Sequence, residues 1–373
     1  MAINAIGELG RVRRLVVKVG SSLLVERGEP RTAWLKSLAQ DIASLRTAGV
    51  QVVIVSSGAI ALGAAQLKFA RGARGCLADA QAAASVGQIA LAGLWSQALG
   101  GHGLIAAQML LTLEDLEDRR RYLNAAATFE RLLDGGAVPV VNENDSVATE
   151  EIRFGDNDRL AARVAQAAGA EAVLLLSDVD GLYDRDPRTP GAVLVPRVEG
   201  VSEAVMAMAS GASSSGMGSG GMTSKLQAAQ IAERAGIALA VVNGTQVFPI
   251  ANALASGTGT LFVPQRSSTA RQAWLGGRLS PSGVLTVDDG CAAALAGGAS
   301  LLAAGVTEVT GEFNRGDLVT IVNARGDRLA QGLVEYSAAE CRAILGCKQD
   351  AQYDKLGYAP RAAVVHRDHL VRL

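Results

Sequence analysis

Residues 15–55 read LVVKVGSSLLVERGEPRTAWLKSLAQDIASLRTAGVQVVIV. The run from Leu15 to Val19 is short and, apart from one lysine, shows no polar alternation, so it predicts a strand buried on both faces. Trp34, Leu35, Leu38, Ile42 and Leu45 recur at helical spacing, and Gly49 ends that pattern. Val50 to Val55 is a second buried-type strand. The alternation continues to about residue 260. Helical patterns begin near Ala59 and cover 78–99, 119–133, 157–168, 201–209 and 222–235, with apolar strands at 104–107, 137–141, 172–176 and 238–242. Strands without polar alternation, separated by helices, predict an α/β three-layer sandwich with a mostly parallel central sheet. Ligands of such sheets sit at the carboxyl ends of the strands, where this chain places its unusual polar residues.

The pattern changes after Phe262. Residues 265–280 are polar and interrupted and read as a linker. Short strands follow at 284–287, 306–310, 318–322, 329–336 and 363–365, with turn signals at Asn314-Arg315-Gly316-Asp317 and Asn323-Ala324-Arg325-Gly326. The expected organisation is a catalytic domain over 1–264, the linker, and a small, mostly β, barrel-like domain over 281–373. A length of 373 residues suits two domains.

Composition narrows the function. The chain is 49% hydrophobic, which excludes disorder of the whole, and its 43 glycines follow no collagen-like period. A formal net charge of -1 argues against wholesale coating of nucleic acid or anionic membrane. The 35 basic residues include only 6 lysines, which draws attention to each lysine. Four cysteines without a CxxC, and 3 histidines, make a disulfide framework or a zinc site a poor fit. Neither a signal peptide nor a membrane span is legible, so a cytoplasmic protein is expected.

Six segments carry chemistry. Lys18-Val19-Gly20-Ser21-Ser22 puts a lysine and a glycine at a strand end, where a point charge and backbone N–H groups can meet phosphate. Ser56-Ser57-Gly58 follows the second strand and either cradles an anion at a helix start or is an ordinary small-residue turn. Asn142-Glu143-Asn144-Asp145-Ser146 follows another strand. It suits a turn, and it equally suits a zwitterion whose ammonium pairs with Asp145 and whose carboxylate meets the amides. In Asp156-Asn157-Asp158, Asp156 suits a helix cap, and Asp158 falls in the first helical turn, where it can hold lysines. Ser177 and Asp178 end a wholly apolar strand, a nucleotide-contact position that an acidic turn also explains. Finally, the glycine-rich 210–225 runs into a helix carrying Lys225, like a phosphate clamp. Neither a P-loop motif nor a G-x-G-x-x-G fingerprint after the first strand is present, and no nucleophile–histidine pair is legible. Phosphoryl transfer to an acceptor that is already ionised needs none of these.

Taken together, VVKVGSS, IVSSGAI, AQMLLT, VPVVNENDSV, FGDNDRL, LSDVDGLY and GSGGMTSKLQAA, in this order and spacing, resemble the amino-acid kinase family and within it the glutamate 5-kinases. The rear domain resembles a PUA module. The resemblance implies ATP-dependent phosphorylation of the γ-carboxylate of L-glutamate to L-glutamyl 5-phosphate, the first step of proline biosynthesis, with Mg2+ brought largely by ATP. It also implies feedback by proline and a homo-oligomer, dimer or tetramer. By the same resemblance Lys18, Lys225 and Asp158 are catalytic. Ser57, Asp145, Asn157 and Asn142 bind substrate. Lys18, Ser177, Asp178, Ser219, Gly220, Gly221, Met222, Thr223, Ser224 and Lys225 bind nucleotide. The chain has Ser at Ser56 and Ser177 where the family often has Thr, a hydroxyl-for-hydroxyl exchange. The rival readings are a relative acting on acetylglutamate, aspartate or UMP, and an RNA-binding protein working through its PUA-like domain. An ammonium-pairing Asp145 argues against an acetylated acceptor.

Overall fold

β1 (Arg14–Val19) is buried along its whole length and sits at the centre of a sheet of eight strands among the described residues. The computed structural model describes residues 3–69, 73, 76–147, 157–210, 221–264 and 281–373. A two-stranded ribbon, β2 (Val25–Glu26) with β3 (Glu29–Pro30), follows β1. The main sheet continues with β4 (Gln51–Ser56), β5 (Ala106–Leu111), β6 (Val138–Glu143), β7 (Ala172–Ser177), β8 (Arg197–Glu199), β9 (Ala238–Asn243) and β10 (Thr260–Val263). Its order is β5-β6-β4-β1-β7-β9-β10-β8. The six strands from β5 to β9 in that order are parallel. β10 runs antiparallel to β9, and β8 is parallel to β10. The expected mostly parallel sheet is therefore present, closed on one side by a reversed pair.

The α-helices up to β10 are α1 (Ser21–Leu24), α2 (Thr32–Thr47), α3 (Ala59–Gln66), α4 (Leu77–Gly100), α5 (Leu113–Glu117), α6 (Arg119–Asp134), α7 (Asn157–Ala167), α8 (Glu203–Ser210), α9 (Met222–Arg234) and α10 (Pro249–Ser256) among the described residues. Alternation along β1 sorts them onto two faces. Leu15, Val17 and Val19 pack with Trp34, Leu35, Leu38 and Ile42 of α2 and with Leu91 and Trp95 of α4. The period of two sends Val16 and Lys18 to the opposite face, where α7 and α9 pack together. Both faces bury apolar side chains, which is why the strands read as continuous apolar runs. The strand expected at 104–107 runs instead from Ala106 to Leu111: it starts later because the Leu104 N–H still bonds the Leu99 carbonyl in the turn that ends α4, and it continues because Gln108 to Leu111 pair with β6. None of the described helices is long and apolar enough to cross a membrane.

One close approach governs the face nearest the Ser57 loop. A Cβ at Gly63 would lie 1.8 Å from the Ala83 carbonyl oxygen, and one at Gly87 would lie 1.8 Å from the Ala59 carbonyl oxygen. α3 and α4 therefore cross backbone to backbone, and only glycine fits at either position. α3 starts directly after Ser57-Gly58, so this crossing ties α4 to that loop.

The chain divides into two compact units, Met1–Glu117 with Asn124–Gln265, and Asp118–Leu123 with Arg266–Leu373. The second has a five-stranded sheet of order β12-β11-β13-β14-β15, from β11 (Gly283–Val287), β12 (Val306–Gly311), β13 (Leu318–Asn323), β14 (Arg328–Leu333) and β15 (Leu370–Arg372). Its core includes Leu285, Leu301, Phe313, Ile321, Tyr336 and Val365. Two expected elements differ. β14 ends at Leu333 because the next N–H groups leave the ladder, Val334 bonding Asp317 and Glu335 bonding Val364. Residues 363–365 form no strand and make an isolated bridge, Leu301 to Val365, and the fifth strand is β15. The segment expected to be a linker, 265–280, lies outside the described residues.

Candidate active site

The parallel strands end together, and the polar residues picked from the sequence follow them. Lys18 is the penultimate residue of β1 and only 5% exposed. Lys225 lies in the first turn of α9 and is equally buried. Between them stands Asp158, in the first turn of α7 and wholly buried. Lys18 Nζ lies 2.6 Å from Asp158 Oδ1, and Lys225 Nζ donates to Asp158 Oδ2 at 3.1 Å. The Ser224 hydroxyl adds a long bond of 3.4 Å to the same Oδ2. Burial alone would push the Asp158 carboxyl up. The charges and hydrogen bonds of the two lysines reverse that and hold it below the ordinary carboxylate range. Two ammonium groups thus converge on one carboxylate, an excess of positive charge aimed at one point of the strand-end crevice.

A second cluster begins one residue earlier. Asn157 Nδ2 donates to Ser57 Oγ at 2.8 Å and to Asn142 Oδ1 at 3.0 Å. The Ser57 N–H bonds the Val19 carbonyl at 3.0 Å, which ties its loop to the end of β1. With both Nδ2 hydrogens used, Asn157 can offer a ligand only its acceptor oxygen, and Ser57 keeps a hydroxyl hydrogen to donate. Asp145 follows β6 in a one-turn 3-10 helix and is half-buried, and burial pushes its carboxyl up to about 6. Among the described residues no cation lies within ion-pair distance of it.

On the other side of β1, Ser177 ends β7 and is buried, and its hydroxyl donates to the neighbouring Asp178 at 3.3 Å. Asp178 itself is exposed. The Gly244 N–H bonds the Ser177 carbonyl at 2.7 Å, and the Trp34 indole N–H bonds the Gly244 carbonyl at 2.7 Å. Gly221 caps α9, and Met222, Thr223 and Ser224 form its first turn. Ser219 and Gly220, and Phe154 to Asp156, lie outside the described residues.

The structure also brings in residues that the sequence did not single out. Gln88 of α4 accepts a hydrogen bond from Asn142 Nδ2 at 2.8 Å. The Trp95 indole N–H bonds Ser56 Oγ at 2.9 Å, behind Ser57. Asn243 Nδ2 and the Tyr183 hydroxyl both donate to Asp180, at 2.8 and 3.0 Å, beside Ser177 and Asp178. Each lies within an apolar or turn-like stretch and gives no local signal. Among the described residues no three His, Cys, Asp or Glu side chains gather to hold a metal ion. Asp158, the acid at the centre, has an ammonium group on each oxygen and is not free to ligate one.

Comparison with known proteins agrees with this architecture. Residues 13–243 match the model of the amino acid kinase family, and residues 283–351 match that of the PUA domain. A glutamate 5-kinase from Novosphingobium aromaticivorans is 64% identical over 361 residues, 96% of each chain. One from Sphingopyxis alaskensis is 60% identical over 96% of this chain and 97% of its own. One from Zymomonas mobilis is 52% identical, over 96% of this chain and 91% of its own. At such identity along nearly the whole length, the chain belongs to the amino acid kinase family and, within it, to the glutamate 5-kinases.

Proposed function

We propose that this protein transfers the γ-phosphoryl group of ATP to the γ-carboxylate of L-glutamate, giving ADP and L-glutamyl 5-phosphate, the first committed step of proline synthesis. The observation that carries the mechanism is that Asn157 and Asp158 are consecutive. Asn157 joins Ser57 and Asn142 while Asp158 joins Lys18 and Lys225, so the first turn of α7 links a neutral polar cluster to a pair of buried lysines, which supports reading them as an amino-acid cradle beside a phosphate site. The helix N-terminus adds its own positive potential there.

In this reading Asp145 and the Asn157 oxygen take the ammonium of glutamate, and the Ser57 hydroxyl and Asn142 help position its carboxylates. The γ-carboxylate, with a reference pKa of about 4.3, is ionised at pH 7, so no general base is needed. One of its oxygens attacks the γ-phosphorus in line, the bond to the β,γ-bridging oxygen breaks, and ADP leaves. Lys18 and Lys225 offset the charge that builds on the transferred oxygens, and Asp158 holds both ammonium groups in place. Ser177, Asp178 and 219–225 serve the nucleotide. Mg2+ held by the ATP phosphates would supply further positive charge on their oxygens.

We extend the proposal to feedback by proline and to a homo-oligomer. β5 is an edge of the main sheet among the described residues, and Leu110 on it and Ile105 just before it are exposed, 38% and 68%, which suits association with a second copy. The test is ADP release from Mg·ATP with L-glutamate, N-acetyl-L-glutamate, L-aspartate or UMP, with hydroxylamine present to trap the acyl phosphate. Glutamate-dependent ADP and hydroxamate, both suppressed by proline, are expected. Turnover with another acceptor would overturn the substrate assignment. Silence with all four would turn attention to RNA binding by the second unit.

A further inference from the structure

We infer that Gln88 is a positioning residue for the acceptor substrate, acting through Asn142; this rests on the substrate reading above. The amide relay is directional. Gln88 Oε1 accepts from Asn142 Nδ2, and Asn142 Oδ1 accepts from Asn157 Nδ2, whose second hydrogen goes to Ser57 Oγ. Asn142 and Asn157 are 3% and 4% exposed, so water cannot readily repair a wrong orientation. If Asn142 flipped, its NH2 would face the Asn157 NH2, and its carbonyl oxygen would face the Gln88 carbonyl oxygen. The Gln88 acceptor is what makes the observed orientation the better one. Through it Asn157 presents an oxygen, and Ser57 a hydroxyl hydrogen, to a zwitterion that needs one acceptor and one donor.

The fold holds Gln88 firmly enough to act this way. It follows Gly87, which is seated against the Ala59 carbonyl at the α3–α4 crossing, and α3 begins beside Ser57. The residue that orients Asn142 and the loop that carries Ser57 are therefore anchored at one backbone contact. A helix slip that moved Gln88 would have to break that crossing.

The test is a double-mutant cycle on the full chain, with Gln88→Leu, Asn142→Ala and the pair, measured with L-glutamate and Mg·ATP. Gln88→Leu keeps similar volume and loses the acceptor. Removing one such bond should raise KM for L-glutamate roughly tenfold, with kcat and KM for ATP within about threefold. If Gln88 acts through Asn142, the double variant should be no worse than Asn142→Ala alone. Additive losses would mean that Gln88 acts independently, and an unchanged KM in Gln88→Leu would mean that it does not act; either overturns the inference. A loss explained by a lower melting temperature, with kcat and both KM values shifting together, would also overturn it. Wild-type protein run alongside separates the two questions. If it turns over glutamate, only the role of Gln88 is at stake. If it does not, the substrate reading falls and this inference with it.

Discussion

Replacing Asp158 by Asn keeps the shape of the side chain and removes the one charge between Lys18 and Lys225. At an effective dielectric near 20, unit charges at the observed 2.6 and 3.1 Å attract by roughly 5–6 kcal/mol each. Most of that is offset by the cost of burying three ions. What remains when one partner of a buried cluster is removed is a loss of about 3–5 kcal/mol. A second route sets a similar ceiling. One lysine can shed its proton, and from a reference near 10.4 this costs about 4.6 kcal/mol at pH 7. At roughly 2–4 °C per kcal/mol for a unit of this size, the melting temperature should fall by roughly 6–20 °C. The pH dependence has a definite sign. In the variant the buried lysine has a depressed pKa, so the unfolded chain binds more protons than the folded one up to about pH 10.4. Stability relative to wild type should therefore recover as pH rises from 7 to 9. The same loss of ordered charge should lower kcat about 10²–10³-fold in the hydroxamate assay. A variant with kcat within about threefold of wild type, or a stability deficit that grows toward pH 9, would refute the view that Asp158 organises two charged lysines.

Two further expectations concern the acceptor cradle. Asp145 must be ionised to pair with an ammonium, and burial pushes its carboxyl up to about 6, so KM for L-glutamate should rise about tenfold per unit below that pH and level off above it. In Asp145→Asn this inflection should vanish and KM should rise roughly 10–100-fold; an inflection that persists would assign the titration elsewhere. In Gly87→Ala the new methyl would meet the Ala59 carbonyl at 1.8 Å and force α3 and α4 apart. Calorimetry should show a loss of about 3 kcal/mol or more, and wild-type melting with a wild-type glutamate KM would show that the crossing does not hold the cradle.

The sheet was legible because its strands are buried on both faces. Runs such as Ala172 to Ser177 leave no polar side chain for solvent until the strand ends, so both the element and the position of the polar residues that end it can be read locally. Lys18, Asp158 and Lys225 also stood out locally, because a charged residue at an apolar strand end or beside a glycine-rich run has no core role. β14 and the 363–365 segment were less legible. An apolar run looks alike in one dimension whether its backbone hydrogen bonds go to a ladder or, as at Glu335 and Val364, to a single neighbouring segment.

The sequence by itself determined which side chains had to be buried and, to within a residue, where the central strands at 15–19 and 172–176 stop, and hence that two lysines and a carboxylate lie at the carboxyl ends of a parallel sheet. Tertiary structure alone decided that Asp158 faces both lysines at once and that Asn157 reaches 100 residues back to Ser57. It alone also decided that Gln88, one polar residue in an alanine-rich helix, is the acceptor for Asn142. The physical reason is range. Burial and periodicity act between neighbours in the chain, whereas hydrogen-bond direction and ion pairing depend on distances set by how remote elements pack. Here a backbone-to-backbone crossing at two unremarkable glycines sets the position of α4.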